Sequence, residues 1–174
     1  MIIRIVGAVI ILLTAVTAGI CLSYVAKTRI KRLCAMVSSL YILSGDIRYG
    51  MTSLPAACMN IARGSHNDYL KNFYQRLSID LNKDEFIVFS ELWKRLIYTY
   101  VKEIYLTESD CEVLCEVGEL PLHLDKDMQI KHIENICCRL NDIIAEAKSG
   151  VNNKCRIYQC TSIAAGIIIV ILLL

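Results

Sequence analysis

The sequence predicts an all-α protein in which a cytosolic bundle of five to six helices is flanked by an N-terminal and a C-terminal transmembrane helix. Three observations support this prediction. All 17 acidic residues lie between Leu33 and Asn153, whereas residues 5–26 and 157–174 carry no charged side chain. Glycine and proline are absent from Ser65 to Val117. Hydrophobic residues in the middle of the chain recur at the spacing of an amphipathic helix.

The two uncharged segments are long enough to cross a bilayer. Residues 5–26 number 22 and would extend about 33 Å as a helix, against about 30 Å for the hydrocarbon core. Residues 157–174 number 18 and would extend about 27 Å. We therefore expect a transmembrane helix in residues 1–27, a cytosolic helical bundle in residues 28–156 and a second transmembrane helix in residues 157–174.

Each uncharged segment has an alternative interpretation. The first could be a signal peptide cleaved near Thr17, but the apolar run continues beyond that point and the stronger basic cluster follows the segment. The last could be a buried core helix, but a wholly apolar end is difficult to bury in a domain of this size. The sequence therefore favours two membrane helices.

Basic residues border both segments on the side of the middle region. Cytoplasmic flanks of membrane helices carry excess lysine and arginine, so both clusters favour a cytoplasmic middle. One tyrosine lies just inside each cluster, where interfacial aromatic residues are common. The predicted membrane-anchoring residues are Tyr24, Lys27, Arg29, Lys31, Arg32, Lys154, Arg156 and Tyr158. Anionic headgroups account for these charges at about 1 kcal/mol each, so the lipid bilayer is the expected partner and nucleic acid is not.

The first helix is expected to continue from the N-terminal segment into the bundle and to stop at Gly50, in a positive-φ conformation typical of a helix C-terminus. Thr52 or Ser53 can cap a second helix, with Pro55 in its first turn. A structural corner of the bundle is therefore predicted at Tyr49, Gly50, Thr52 and Pro55.

Capping residues predict the later helices. Ser65 can cap a third helix, and the acidic pair Asp84 and Glu85 suits the start of a fourth. Thr107 and Asp110 resemble a capping box at the start of a fifth.

Helix breakers and polar starts delimit the last part of the bundle. Gly118 and Pro121 should end the fifth helix. The last helix should begin near Leu124 and Asp125 and run through Gly150 into the C-terminal segment.

No catalytic chemistry is predicted. The nine cysteines include Cys111 and Cys115 on one helix face, which could supply half of a zinc site or act as a redox sensor. No CxxC or HxxxH pattern supplies the other half. Phosphate-binding loops and nucleophile motifs are also missing from the sequence. We therefore expect no enzyme, no cofactor and no metal.

An acidic stretch is the one unusual feature of the middle region. Glu103 to Asp127 contains eight acidic residues and one basic residue. A solvated surface is the simpler explanation, and the functional one is a docking face for a basic partner. The candidate docking residues are Glu108, Glu112, Glu116 and Glu119.

Three segments resemble a known family. The first has the family's pattern at Asp46, Ile47, Tyr49, Gly50, Thr52, Leu54, Pro55 and Ala57, the second at Asp127, Gln129, Lys131 and His132, and the third at Arg156, Tyr158 and Gly166. Together with the length and the two apolar ends, they make the chain similar to the stage III sporulation protein AB family.

The resemblance implies a non-enzymatic platform in a secretion-like channel that joins the mother cell and the forespore and is needed for late forespore gene expression. It implies a place in the mother-cell membrane around the forespore. It also implies partners from the same operon, including ring-forming membrane proteins and a cytosolic ATPase, and a bundle similar to platform-protein modules of type II secretion. The alternative is a membrane-tethered regulator whose acidic face captures a soluble partner.

Overall fold

The computed structural model describes residues 2–49, 53–83, 88–101, 105–119 and 126–173. These ranges form six α-helices and contain no β-strand. The helices are α1 (Ile2–Tyr49), α2 (Leu54–Gly64), α3 (Asp68–Lys83), α4 (Phe89–Leu96), α5 (Glu108–Cys115) and α6 (Lys126–Leu173). A π-helical segment, Ile97–Val101, follows α4, and a 3₁₀ turn, Glu116–Glu119, follows α5. The predicted all-helical class is confirmed.

The chain divides into two compact units. One consists of both chain ends, Met1–Ile30 and Ala145–Leu174, and the other of Lys31–Ile144. The predicted continuity of the first and last helices is confirmed, because α1 and α6 each run without a break for 48 residues. Within the part of the chain that the structure describes, no helix has the length and apolar character needed to cross a membrane.

The capping and first-turn residues predicted for α2 and α3 are only partly confirmed. Pro55 lies in the first turn of α2, as predicted, and Ser53 occupies the position before the helix without capping it through its side chain. Ser65 does not cap α3, which begins at Asp68. Instead its hydroxyl accepts a hydrogen bond from the backbone N–H of Asn67 at 3.3 Å, closing a local turn between the helices. A serine hydroxyl serves a turn as readily as a helix start, so the sequence does not distinguish the two.

The capping box of α5 is confirmed. The backbone N–H of Asp110 donates to the Thr107 hydroxyl at 3.3 Å, and the Thr107 N–H donates to the Asp110 carboxylate at 2.9 Å. The predicted start of the fourth helix at Asp84 and Glu85 lies outside the described residues, and α4 begins at Phe89. Pro121, Leu124 and Asp125 also lie outside them.

An aromatic cluster fills the centre of the Lys31–Ile144 unit. Phe73 and Tyr74 on α3 and Trp93 on α4 are fully buried. The ring of Phe73 meets those of Tyr74 and Trp93 edge to face, at centroid distances of 5.0 and 5.1 Å. The Tyr74 hydroxyl lies 2.9 Å from the Ser39 hydroxyl, so α1 contacts the cluster through a buried hydrogen bond. Aromatic pairs of this kind stabilise a core by about 0.5–1.5 kcal/mol beyond their buried area.

Gly118 allows the 3₁₀ turn to approach α4 closely. A Cβ atom at this position would lie 3.0 Å from Cβ of Trp93 and 3.2 Å from Cα of Ser90. The sequence predicts Gly118 only as a helix breaker. Its role in the structure is to remove a side chain from a tight helix contact, because α5 already ends at Cys115.

Candidate functional site

The acidic face predicted from the sequence is divided by its local contacts. Glu116 pairs with Arg139 of α6. Glu119 lies 3.0 Å from the ammonium group of Lys94 on α4. Glu108 accepts a hydrogen bond from Tyr98, which follows α4. Glu112 lies on an exposed part of α5 and pairs with no other described residue.

These ion pairs tie the 3₁₀ turn to two helices. The hydrogen bond to Glu119, together with the charge of that carboxylate, raises the pKa of the Lys94 ammonium group. His132 of α6 lies 3.0 Å from the backbone carbonyl of Glu116 and adds a third contact to the turn. The partners of Glu116 and Glu119 are 23 and 25 residues away in sequence. No local pattern in the sequence indicates such pairs.

Asp110 does not belong to the acidic surface. Its side chain is completely buried, and its carboxylate accepts the Thr107 N–H of the capping box. The charge that the sequence attributes to this stretch is therefore larger than the charge it presents to a partner. Glu112 is the member of the predicted face that is both exposed and not paired within the described residues.

The predicted structural corner is partly described. Tyr49 ends α1 and is 85% exposed. The carbonyl of Pro55 accepts a hydrogen bond from the Ser78 hydroxyl at 2.7 Å, which joins the start of α2 to α3. Gly50 and Thr52, and with them the predicted positive φ of Gly50, lie outside the described residues.

The predicted anchoring residues near the first uncharged segment differ in their exposure and in their contacts. Tyr24 is 65% exposed, and Lys27 and Lys31 are exposed as well. Arg32 is only partly exposed, and its guanidinium group lies 4.8 Å from the ring centroid of Tyr69. The side chains of Lys154, Arg156 and Tyr158 lie outside the described residues.

A second aromatic ring contacts Arg32. Its guanidinium carbon lies 5.8 Å from the ring centroid of Tyr105. Tyr105 has φ of 64°, a left-handed conformation that a residue with a Cβ rarely adopts. The three residues are far apart in sequence, so no pattern there predicts this cluster.

Another charged cluster surrounds Asp80, a buried carboxylate on α3. The guanidinium groups of Arg76 and Arg95 approach the same carboxylate oxygen at 3.1 and 3.4 Å. The spacing of Arg76 and Asp80 by four residues on one helix is visible in the sequence. The second arginine comes from α4 and is brought in by tertiary packing.

The two cysteines considered for a metal or redox site are buried. Cys111 and Cys115 face the interior, and burial raises the pKa of the Cys115 thiol. A raised pKa keeps the sulfur in its less reactive thiol form. Among the described residues, no three histidine, cysteine or acidic side chains are grouped to hold a metal ion.

Comparison with known proteins identifies the family. A profile of the stage III sporulation protein AB family matches residues 4–174. A solved structure of a stage III sporulation protein AB has the same fold, with a TM-score of 0.64 and 24% sequence identity over 72% of this chain and 97% of that chain. No curated protein sequence matches significantly. The family's description concerns sporulation and names no reaction. The chain therefore belongs to the stage III sporulation protein AB family.

Proposed function

We propose that this protein is a non-enzymatic membrane platform of a sporulation channel between the mother cell and the forespore, needed for late forespore gene expression. Family membership over nearly the whole chain is the observation on which the proposal depends. The family resemblance implies a secretion-like complex. Its partners would be ring-forming membrane proteins and a cytosolic ATPase from the same operon.

The arrangement of the chain ends supports a paired anchor. The uncharged segments 5–26 and 157–174 belong to the same compact unit, which is separate from the Lys31–Ile144 unit. A helix satisfies its backbone hydrogen bonds internally, so two adjacent helices are suited to lipid. We propose that both segments cross the mother-cell membrane around the forespore. The Lys31–Ile144 unit, called the helical body below, would lie in the mother-cell cytoplasm.

The helical body has the properties of a rigid platform. Its centre is the edge-to-face aromatic cluster of Phe73, Tyr74 and Trp93. Ion pairs fix the 3₁₀ turn to α4 and α6, and Arg48 of α1 pairs with Glu134 of α6 at 2.8 Å. A body with these connections between distant parts of the chain can keep a docking surface in one orientation. We propose that α5, through Glu112, carries that surface.

Two measurements test the anchor. The full chain should stay with membranes during extraction at alkaline pH, and a reporter fused after Leu174 should be active outside the mother-cell cytoplasm. Release from the membranes, or a reporter active in the cytoplasm, would contradict the paired anchor.

Site-specific crosslinking tests the platform. A photoreactive residue at Glu112 should capture another product of the operon in sporulating cells. The same residue at Gln75, an exposed position on α3, is the matched control. Capture of only a soluble protein from outside the complex would favour the regulator hypothesis instead.

A further inference from the structure

We propose that Arg32, whose guanidinium group lies against the rings of Tyr69 and Tyr105, binds a phosphate group, either that of an anionic phospholipid or free phosphate. The lipid source rests on the proposed membrane anchor, whereas the phosphate chemistry does not. Two unusual features meet at this residue. Among the described residues, one nitrogen of its guanidinium group is buried without a hydrogen-bond acceptor, and one of its two aromatic neighbours has a strained backbone.

Arg32 differs from four other arginines of the helical body in the kind of group that its guanidinium contacts. The guanidinium groups of Arg48, Arg76, Arg95 and Arg139 each contact a carboxylate. Within the described ranges, Arg32 has two aromatic rings as neighbours and no carboxylate. Aromatic faces attract the cation but supply no acceptor oxygen for its N–H groups. The positive charge of Arg32 therefore has no anionic partner in the described chain.

A phosphate group would supply the acceptor oxygens that Arg32 lacks among the described residues. A guanidinium group is planar and permanently charged, and it binds phosphate oxygens through two parallel N–H donors. The rings of Tyr69 and Tyr105 restrict its orientation, so the donors are fixed before a ligand arrives. Burial raises the pKa of the Tyr69 hydroxyl, while the charge of Arg32 opposes this shift. The hydroxyl remains a neutral group that can also donate a hydrogen bond to a phosphate oxygen.

Of the two tyrosines that contact Arg32, Tyr105 is the one that can move away from the guanidinium group. Its ring lies farther from Arg32 than that of Tyr69 and its side chain is 50% exposed. Its φ of 64° is unfavourable for tyrosine, so a shift of this residue would relieve strain. We therefore expect Tyr105, rather than Tyr69, to shift when a phosphate group binds the guanidinium group.

The position of Arg32 in the sequence favours the lipid source. Arg32 lies six positions after Ala26, the end of the uncharged segment, or about 9 Å farther along a helix. The headgroup layer on each side of the hydrocarbon core is about 5–8 Å deep. Tyrosine rings are also common at this depth. Arg32 would thus lie at the outer edge of the headgroup layer if residues 5–26 span the membrane.

The test uses the full chain in a neutral detergent, with native mass spectrometry to count bound molecules. Phosphatidylglycerol, phosphatidylcholine and inorganic phosphate are titrated separately. We expect one tightly bound phosphatidylglycerol, and at least tenfold weaker binding after Arg32→Gln. Arg32→Lys should lose nearly as much, because an ammonium group lacks the planar pair of donors. Arg63→Gln is the matched control, since it makes the same substitution at an exposed position on α2 and should change the affinity less than twofold.

Each other outcome has a defined meaning. Equal losses in the Arg63 and Arg32 variants would overturn the proposal, because diffuse charge would then explain binding. No binding of any probe would overturn it as well. Equal affinity for inorganic phosphate would support the phosphate site and reject the lipid source. If Arg32→Gln fails to fold, Tyr69→Leu leaves the charge in place and should still weaken binding at least threefold. Extraction of the wild-type chain at alkaline pH reports separately on the membrane anchor.

Discussion

The indole nitrogen of Trp93 donates a hydrogen bond to the backbone carbonyl of Leu114 at 2.8 Å. This bond joins α4 to the last turn of α5, and the same carbonyl also accepts the backbone N–H of Glu116. Trp93 also contacts Phe73 on α3 and would touch any side chain placed at Gly118. One buried side chain thus connects α3, α4, α5 and the 3₁₀ turn that carries Glu116 and Glu119.

Replacement of this side chain should destabilise the body. Trp93→Phe removes the indole donor, and loss of this buried hydrogen bond costs about 0.5–1.5 kcal/mol before any loss of packing, because the Leu114 carbonyl keeps the Glu116 N–H as a partner. We expect a fall in the thermal midpoint of the full chain of at least about 3 °C, followed by circular dichroism. Val88→Ala, at an exposed position before α4, is the control and should have little effect. An unchanged midpoint in Trp93→Phe would contradict the connecting role of the indole.

Two glycines should respond oppositely to alanine. Gly118→Ala places a Cβ atom 3.0 Å from Trp93, and such overpacking destabilises a core by about 1–3 kcal/mol. Gly45→Ala adds a Cβ atom to the interior of α1, where no described atom outside the helix's own backbone lies within 4 Å, and should stabilise the helix by about 0.5–1 kcal/mol. Denaturant unfolding of both variants measures the difference. An unchanged or raised stability of Gly118→Ala would show that the close contact at Gly118 is not important.

Charge reversal should separate structural from docking carboxylates. Glu116→Lys places a cation against Arg139 and should lower stability by about 0.5–1 kcal/mol, in the range of an exposed ion pair. Glu112→Lys should leave the thermal midpoint unchanged, because Glu112 pairs with no described residue. It should instead reduce capture of a basic partner in a pull-down from sporulating cells. Unchanged capture would remove Glu112 from the docking surface. Reversing both charges in one variant would not separate the loss of stability from the loss of partner capture.

Stability should decline in alkaline solution. Burial raises the pKa of the Cys58 thiol from 9.0 to about 12 and that of the Cys137 thiol to about 11. Between pH 9 and these values the unfolded chain loses protons that the folded chain keeps, so each thiol lowers stability by about 1.4 kcal/mol per pH unit. Below pH 9 both states are protonated and this dependence disappears.

A cysteine variant isolates the effect. Cys137→Ala should flatten the decline in unfolding free energy between pH 9 and 11, measured with denaturant at several pH values. Cys138→Ala removes the adjacent thiol, whose side chain is exposed in the folded chain, and should keep the wild-type slope. Identical slopes in the two variants would show that burial of Cys137 does not govern the alkaline response.

Features that depend on neighbouring residues could be predicted from the sequence. The capping box at Thr107 and Asp110 and the proline in the first turn of α2 involve residues within one helical turn, so their spacing is sufficient to identify them. The same reasoning was wrong for Ser65, because a hydroxyl can close a turn as well as start a helix. The candidate acidic face is visible in the sequence as a run of acidic residues. The sequence does not show which of its carboxylates pair with other side chains and which stay exposed.

The helical class, the separation of charged and uncharged segments, and the similarity to the sporulation family could all be recognised in the amino-acid sequence. Each of these is a property of local spacing, of composition or of an ordered series of residues. The pairing of Lys94 with Glu119, the pairing of Arg139 with Glu116 and the contact of Arg32 with two tyrosine rings became visible only in the folded chain. The physical reason is that these contacts join residues more than 20 positions apart, and they form only when packing of the aromatic core brings their helices together.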